Sequence, residues 1–287
     1  ETKPSVTLCH ILLDSLQKIC LMHGIEVDYY KKLFQTAGNI IELIEKDDIP
    51  KYLLFLENVF PYMDNYNYQK GMKEIIQELK NFLKPKDIGT DSDRALLLDF
   101  QATLEIKPEK AIKLEKDALA QIETITADNA RLVSNLHANL GGLYRMNGYP
   151  DLAREHMEKS ISLLDQFNLL HINDSIPQIA NYAMFLTEQQ EPERGISELQ
   201  KLSGIIKEYH SDDCLDYAKV QETLGTIYLM TANLPQAKTH FKRAFKIYEK
   251  IWADEPEMIE AKYQEIQELY PQIGFCIGKN LSGLLTK

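Results

Sequence analysis

Residues 135–164 read NLHANLGGLYRMNGYPDLAREHMEKSISLL, and residues 220–251 read VQETLGTIYLMTANLPQAKTHFKRAFKIYEKI. Both stretches place leucine, glycine and tyrosine at the same offsets, with Gly141 in the first matching Gly225 in the second. The two glycines are 225 − 141 = 84 residues apart, which is twice 42. A fixed period of this size is typical of stacked structural repeats, so a third copy is required midway.

The middle copy is present, because the expected small residues occur there as Ala183 and Gly195. The small residue of the second helix recurs every 42 residues as Ala111, Ala153, Gly195 and Ala237. The preceding turns hold Pro108, Pro150 and Pro192, also 42 apart, and Pro235 one residue later. Proline suits the first turn of a helix, and small residues let two helices cross closely. The pattern therefore predicts antiparallel helix pairs.

Apolar periodicity and breaker residues predict an all-α chain of about seven helix pairs. Helices are predicted near 5–23, 26–46, 49–64, 69–83, 91–105, 109–124, 129–146, 150–166, 175–189, 192–208, 213–231, 235–252, 256–270 and 272–285. Predicted N-caps are Asp91, Asp128, Asp174 and Asp212 or Asp213. We divide the chain into degenerate repeats or a cap at 1–90, clear repeats at 91–252, and a degenerate repeat with a capping helix at 253–287.

Composition excludes several classes of function. A formal net charge of −11 argues against nucleic-acid binding, which needs clustered cations. The four cysteines form no C-x-x-C motif, which favours reduced thiols in the cytoplasm. No run reaches the roughly 18 apolar residues of a membrane span. Histidine spacings and glycine motifs of common enzymes are absent from the sequence, so we expect neither catalysis nor a cofactor.

The two quoted stretches resemble tetratricopeptide (TPR) repeats, in the long 42-residue variety of kinesin light chains and many bacterial regulators. The resemblance is strong over about 160 residues. It implies a TPR solenoid, which is a right-handed α-α superhelix whose first helices line a concave groove. It also implies that Asn139 and Asn181, one period apart, bind the backbone of an extended peptide. The third copy departs from this pattern with Thr223.

Repeat geometry predicts a wider set of groove residues on the first helices. The set comprises Asn135, Asn139, Arg145, Asn181, Thr187, Glu188, Lys219 and Glu222. An amide both donates and accepts hydrogen bonds, so an asparagine ladder can bind a backbone regardless of its sequence. The alternative is that these side chains bond only to neighbouring helices or to water.

Two further surfaces have a functional and an ordinary interpretation. Lysines every fourth residue from Lys238 to Lys250 form one side of a helix, which could receive an acidic partner or simply face solvent. The segment FPYMDNYNYQK at 60–70 is rich in tyrosine, which suits an interface or packing between repeats. Solvation and packing are the favoured interpretations.

These features favour a cytoplasmic scaffold that binds an extended peptide or a partner helix in its groove. One alternative is the peptide-sensing domain of a bacterial regulator whose effector domain lies outside this sequence. Another is the substrate-recruiting arm of a multidomain enzyme. We expect a protein or peptide partner and no contact with nucleic acid or membrane.

Overall fold

The computed structural model describes residues 90–172, 175–254, 256–269 and 271, and this part of the chain contains nine α-helices and no strand. In chain order they are α1 Asp91–Thr103, α2 Pro108–Leu119, α3 Ala130–Met146, α4 Pro150–Gln166, α5 Ser175–Glu188, α6 Pro192–Tyr209, α7 Leu215–Met230, α8 Leu234–Ile251 and α9 Pro256–Leu269. All nine helices predicted between 91 and 270 are confirmed. The helices predicted at 5–23, 26–46, 49–64, 69–83 and 272–285, and the tyrosine-rich segment, lie outside the described residues.

The end of α2 differs from the prediction. This helix ends at Leu119 rather than near 124. The residues that follow include Ile122, Thr124, Ile125 and Thr126. β-branched side chains lose rotamer freedom in a helix, so this run ends α2 about one turn early.

The predicted N-caps at the described positions are wrong by one residue. Thr90, not Asp91, caps α1: its side chain accepts a hydrogen bond from the Asp93 backbone, and the Asp93 carboxylate accepts one from the Thr90 backbone at 2.6 Å. This reciprocal capping box leaves Asp91 in the first turn, where its charge suits the helix dipole.

The other two described caps shift in the opposite direction. The caps of α3 and α7 are Asn129 and Cys214 rather than Asp128 and Asp212 or Asp213. The Cys214 sulfur accepts a hydrogen bond from the Tyr217 backbone. The predicted cap Asp174 lies outside the described residues.

The chain divides into two compact units, Glu1–Asn147 and Gly148–Lys287. In the first unit α1 packs on α2 and α2 packs on α3, around a small core that includes Ala95, Ala118 and Leu136. In the second unit α4 to α9 enclose a larger core with fully buried aromatic rings such as Phe241 and Tyr248. None of the described helices is long and apolar enough to span a membrane.

The small residues lie where the sequence places the helix crossings. A Cβ atom added to Gly195 of α6 would lie 2.6 Å from the Ala183 carbonyl oxygen of α5. A Cβ atom on Gly225 of α7 would lie 2.9 Å from the Phe241 ring of α8. Both distances are shorter than a normal van der Waals contact, so the absence of a side chain sets how closely each helix pair approaches.

Three of the four described turns within a helix pair, those after α3, α5 and α7, contain a left-handed residue. Gly148, Gln190 and Ala232 are 42 residues apart, with φ angles of 76°, 64° and 59°. After Gln190 and Ala232 the next backbone N–H donates to the carbonyl five residues back, at 2.8 Å and 2.7 Å, which is the helix-ending Schellman geometry. Only the first copy has glycine, the residue that adopts this conformation without steric cost.

Replacing either non-glycine turn residue should therefore stabilise the protein. We expect Gln190→Gly and Ala232→Gly each to raise the free energy of unfolding by about 1 kcal/mol, because each relieves a left-handed conformation. Chemical denaturation measures the change. Gln189→Gly is the control, since Gln189 is outside the left-handed region and glycine there should lower stability. A loss of stability in both turn variants would contradict the prediction.

Candidate functional site

The predicted groove residues of the first unit lie on α3 and are already engaged. The exposed Asn139 donates from Nδ2 to Oδ1 of Asp99 on α1 at 2.8 Å. Asn135 and Arg145 are partly buried, and each has an interaction with another group. Asn139 thus connects the first helices of two successive pairs.

The predicted residues on α5, in the second unit, are more open. Asn181 and Glu188 are exposed, and because they are seven residues apart they lie on the same side of the helix. Within the described part of the chain, the Asn181 side chain has no hydrogen-bond partner. Thr187 is partly buried and donates to the Ala183 carbonyl at 2.9 Å, so its hydroxyl is bonded within its own helix.

The two predicted residues on α7 differ from each other. Lys219 is 55% exposed and lies 3.8 Å from Asp216, a long ion pair on the surface. Glu222 is largely buried, accepts a hydrogen bond from the Tyr248 hydroxyl at 2.6 Å and pairs with Lys262 at 3.1 Å. Glu222 therefore joins α7 to α8 and α9.

Burial and neighbouring charges shift the pKa values of two groups at this junction, Lys262 and Tyr248. Burial lowers the pKa of Lys262, but the neighbouring Glu222 and Glu265 more than offset this and hold the pKa above its ordinary value. Burial, and then the Glu222 charge, raise the pKa of Tyr248. Tyr248 therefore keeps its proton and remains a hydrogen-bond donor to Glu222.

The first helices α5 and α7 contact each other, so the predicted residues on them lie on neighbouring helices. We call Asn181, Thr187, Glu188, Lys219 and Glu222 the first-helix face of the second unit. It contains one exposed free amide, exposed charges of both signs, and one carboxylate that belongs to the packing. Asn139 and its two companions on α3 belong to the first unit.

Buried polar contacts between successive pairs were missed in the sequence. The Ser160 hydroxyl of α4 donates to Gln178 Oε1 of α5 at 2.5 Å. One helix pair later, and one residue beyond the 42-residue register, Gln221 Nε2 of α7 donates to the Ser203 hydroxyl of α6 at 3.3 Å. Both pairs are 18 residues apart, and this repeated spacing was the available signal. A buried amide needs such partners because an unmet hydrogen bond costs free energy.

A charged network joins α4, α5 and the start of α6. Glu191 pairs with Arg154 and with Arg194, each at 2.6 Å, and the hydrogen bonds from Arg194 and Arg154 lower the pKa of Glu191. Glu158 accepts from the Tyr182 hydroxyl at 2.8 Å. Burial, followed by the hydrogen bond to Glu158, raises the pKa of Tyr182. These groups neutralise one another, so the network is structural.

The lysine stripe lies on the solvent side of α8. Lys238, Lys242 and Lys246 are exposed, as is Lys250, which forms an ion pair with Asp213. The opposite side of the helix is buried and includes Phe241 and Tyr248. This arrangement is that of an amphipathic second helix.

Across the described residues, no cluster of three or more His, Cys, Asp or Glu side chains could hold a metal ion.

Comparison with known proteins shows that part of this chain is similar to a known repeat family. Residues 175–250 match a family model described as tetratricopeptide repeat. No curated protein matches the chain.

Several solved structures share the fold. The putative kinesin light chain TPR-like repeats of Podosopora anserina (Q17M) match with a TM-score of 0.55 at 14% identity, over 69% of this chain and 96% of that one. BtubC (BKLC) from P. vanneervenii matches with a TM-score of 0.52 at 19% identity, over 63% and 72%. A Rap protein complexed with competence and sporulation factor matches with a TM-score of 0.53 at 15% identity, over 94% and 76%. At these identities the likeness concerns the fold.

Proposed function

We propose that this chain, whose residues 175–250 match the tetratricopeptide-repeat model and whose fold resembles TPR-like repeats, is a scaffold that binds an extended peptide or a partner helix. The binding surface in this proposal is the first-helix face of the second unit. Tetratricopeptide repeats serve protein–protein interaction, and the stacked pairs offer an extended surface for a polypeptide.

One observation carries the proposal: the Asn181 amide is exposed and has no partner among the described residues. An asparagine side chain supplies one acceptor and two donor hydrogens, which is what an extended peptide backbone can satisfy. The neighbouring α7 offers Lys219, whose ion pair with Asp216 is long and exposed and therefore contributes little stability. Both groups can bind a ligand without breaking a strong internal contact.

The remaining predicted residues have smaller roles in this proposal. Glu222 positions α7 against α8 and α9, and Thr187 caps its own helix carbonyl. Asn139, in the first unit, donates one amide hydrogen to Asp99. It would contact a peptide through its side-chain carbonyl oxygen and its second amide hydrogen. The net charge of −11 favours a neutral or basic partner over nucleic acid. As a separate part of this proposal, we place the protein in the cytoplasm.

Selection from a random peptide library displayed on phage tests the proposal. We expect the selection to enrich peptides that bind the protein. We expect Asn181→Ala to raise the dissociation constant of a selected peptide about tenfold, because the variant loses hydrogen bonds to the peptide backbone. Titration calorimetry measures the change. Gln200→Ala is the matched control, because Gln200 is an exposed amide on the second helix α6. No enrichment, or equal affinity of the Asn181 variant and wild type, would refute the role of this face.

A second candidate function is ligand sensing. The structure of the Rap protein with its bound factor matches over 94% of this chain, and a repeat stack can change curvature when a ligand prefers one arrangement. Hydrogen exchange of the whole chain with and without a selected peptide separates the two candidates. Protection confined to α5 and α7 favours a passive scaffold, whereas changes in helices that do not touch the peptide favour sensing.

A further inference from the structure

The 42-residue register contains one exception at a helix crossing. The first-helix position that faces the second helix holds small residues in two pairs of the second unit, Ala183 and Gly225, and the corresponding residue in the first described pair is Asp99. The second-helix residue sixteen positions later is Leu199 and Phe241 in those pairs, and Glu115 in the first. A small–large apolar contact is therefore replaced by two carboxyl groups.

The structure places these carboxyl groups in direct contact. Glu115 of α2 is only 1% exposed, and its carboxyl group lies close enough to that of Asp99 on α1 to share a proton with it. Asn139 Nδ2 of α3 donates to Asp99 Oδ1 at 2.8 Å. Glu115 Oε2 is buried and has no hydrogen-bond partner. Two ionised carboxylates in such a contact would repel strongly, so one proton must lie between them.

Among the described residues, no cation compensates the pair. The described groups beside Glu115 are Asp99 from α1 and the neutral amide of Asn139 from α3, and no described lysine or arginine shifts the pKa of either carboxyl. Burial raises the pKa of Asp99. Burial and the adjacent Asp99 charge raise the pKa of Glu115 to about 10. At neutral pH the Glu115 carboxyl is therefore protonated in the folded protein.

We propose that Asp99 and Glu115 form a proton-sharing lock at the crossing of α1 and α2, and that this crossing opens progressively as pH rises. The shared proton lets Glu115 donate to Asp99, so the pair packs as a neutral acid against one charge. Without the proton, α1 and α2 would hold two adjacent negative charges in a buried position. The lock adds pH sensitivity to the first unit, independently of any ligand of the second unit.

The direction of the pH dependence follows from where the proton is held. In the unfolded chain the Glu115 carboxyl has its ordinary pKa of 4.5, whereas in the folded chain burial and the Asp99 charge raise that pKa to about 10. Its contribution to stability is fully present below the lower value and is lost as pH rises toward the higher one. Between them the folded state holds one more proton, so the opening equilibrium of α1 and α2 should increase about tenfold per pH unit.

Hydrogen exchange by mass spectrometry on the full chain tests this between pH 6 and 9. After correction for intrinsic exchange rates, we expect opening of wild-type α1 and α2 to rise about tenfold per pH unit. In Glu115→Gln this slope should disappear, because the amide keeps a donor toward Asp99 and cannot ionise. Exchange from α7, in the second unit, is the internal control and should be unaffected by the substitution.

A second variant shows whether the result depends on the amide that Glu115→Gln introduces. Asp99→Ala combined with Glu115→Leu installs the residue pair found at Ala183 and Leu199, and buried carboxyl groups can be replaced by apolar ones without loss of stability. This variant should also lack the slope and be more protected than wild type at pH 9. A flat wild-type profile, or the wild-type slope persisting in both variants, would overturn the proposal.

Discussion

The Gly195→Ala variant is expected to lose about 3 kcal/mol of unfolding free energy, at the upper end of overpacking effects. The added methyl group would lie 2.6 Å from the Ala183 carbonyl oxygen and 3.1 Å from its Cα atom. Both obstacles are backbone, so no side chain can rotate out of the way and α5 and α6 must separate. The higher helix propensity of alanine returns only about 1 kcal/mol.

Gly204→Ala on the same helix is the matched control. Gly204 has no atom within 4 Å of an added Cβ, so only helix propensity acts and stability should rise by about 0.5–1 kcal/mol. Urea denaturation followed by circular dichroism measures both variants. If the two glycine substitutions change the free energy of unfolding in the same direction, the close crossing of α5 and α6 does not control the packing of this pair.

The helix pairs could be predicted from sequence because their determinants are local and repeated. Pro150 and Pro192 each mark the start of a second helix, and Ala183 and Gly195 mark a crossing, whatever the rest of the chain does. A period of 42 residues makes each copy a check on the others. The predicted caps were wrong by one residue because Thr90 and Asp93 cap each other, and the choice between adjacent cap candidates depends on backbone dihedrals.

Side-chain partners could not be predicted in the same way. Glu222 is predicted to line a groove, and the structure adds contacts that the sequence did not predict, with Tyr248, which is 26 residues away, and with Lys262 on α9. Such contacts depend on how successive pairs stack, and a helical periodicity does not encode this. The carboxyl pair was different: the register alone placed Asp99 and Glu115 at opposed crossing positions. That signal could have been read by comparing every position with its equivalents.

The crossing of α7 and α8 allows a stricter test, because two neighbouring pairs solve the same packing problem differently. Gly225 faces Phe241, whereas the preceding pair has Ala183 and Leu199 at the equivalent positions. Gly225→Ala alone should cost about 2 kcal/mol, since the new methyl group would lie 2.9 Å from a fully buried ring. Phe241→Leu alone should cost about 1–2 kcal/mol through the cavity it leaves.

The double variant Gly225→Ala with Phe241→Leu should cost less than the sum of the two single variants by about 1–2 kcal/mol, a normal coupling for residues in contact. The smaller leucine leaves room for the methyl group, and the methyl group fills part of the space vacated by the ring. Chemical denaturation of the four proteins gives the coupling energy. Additive losses would mean that the volume at this crossing is set by the surrounding helices, and not by the complementarity of the two facing residues.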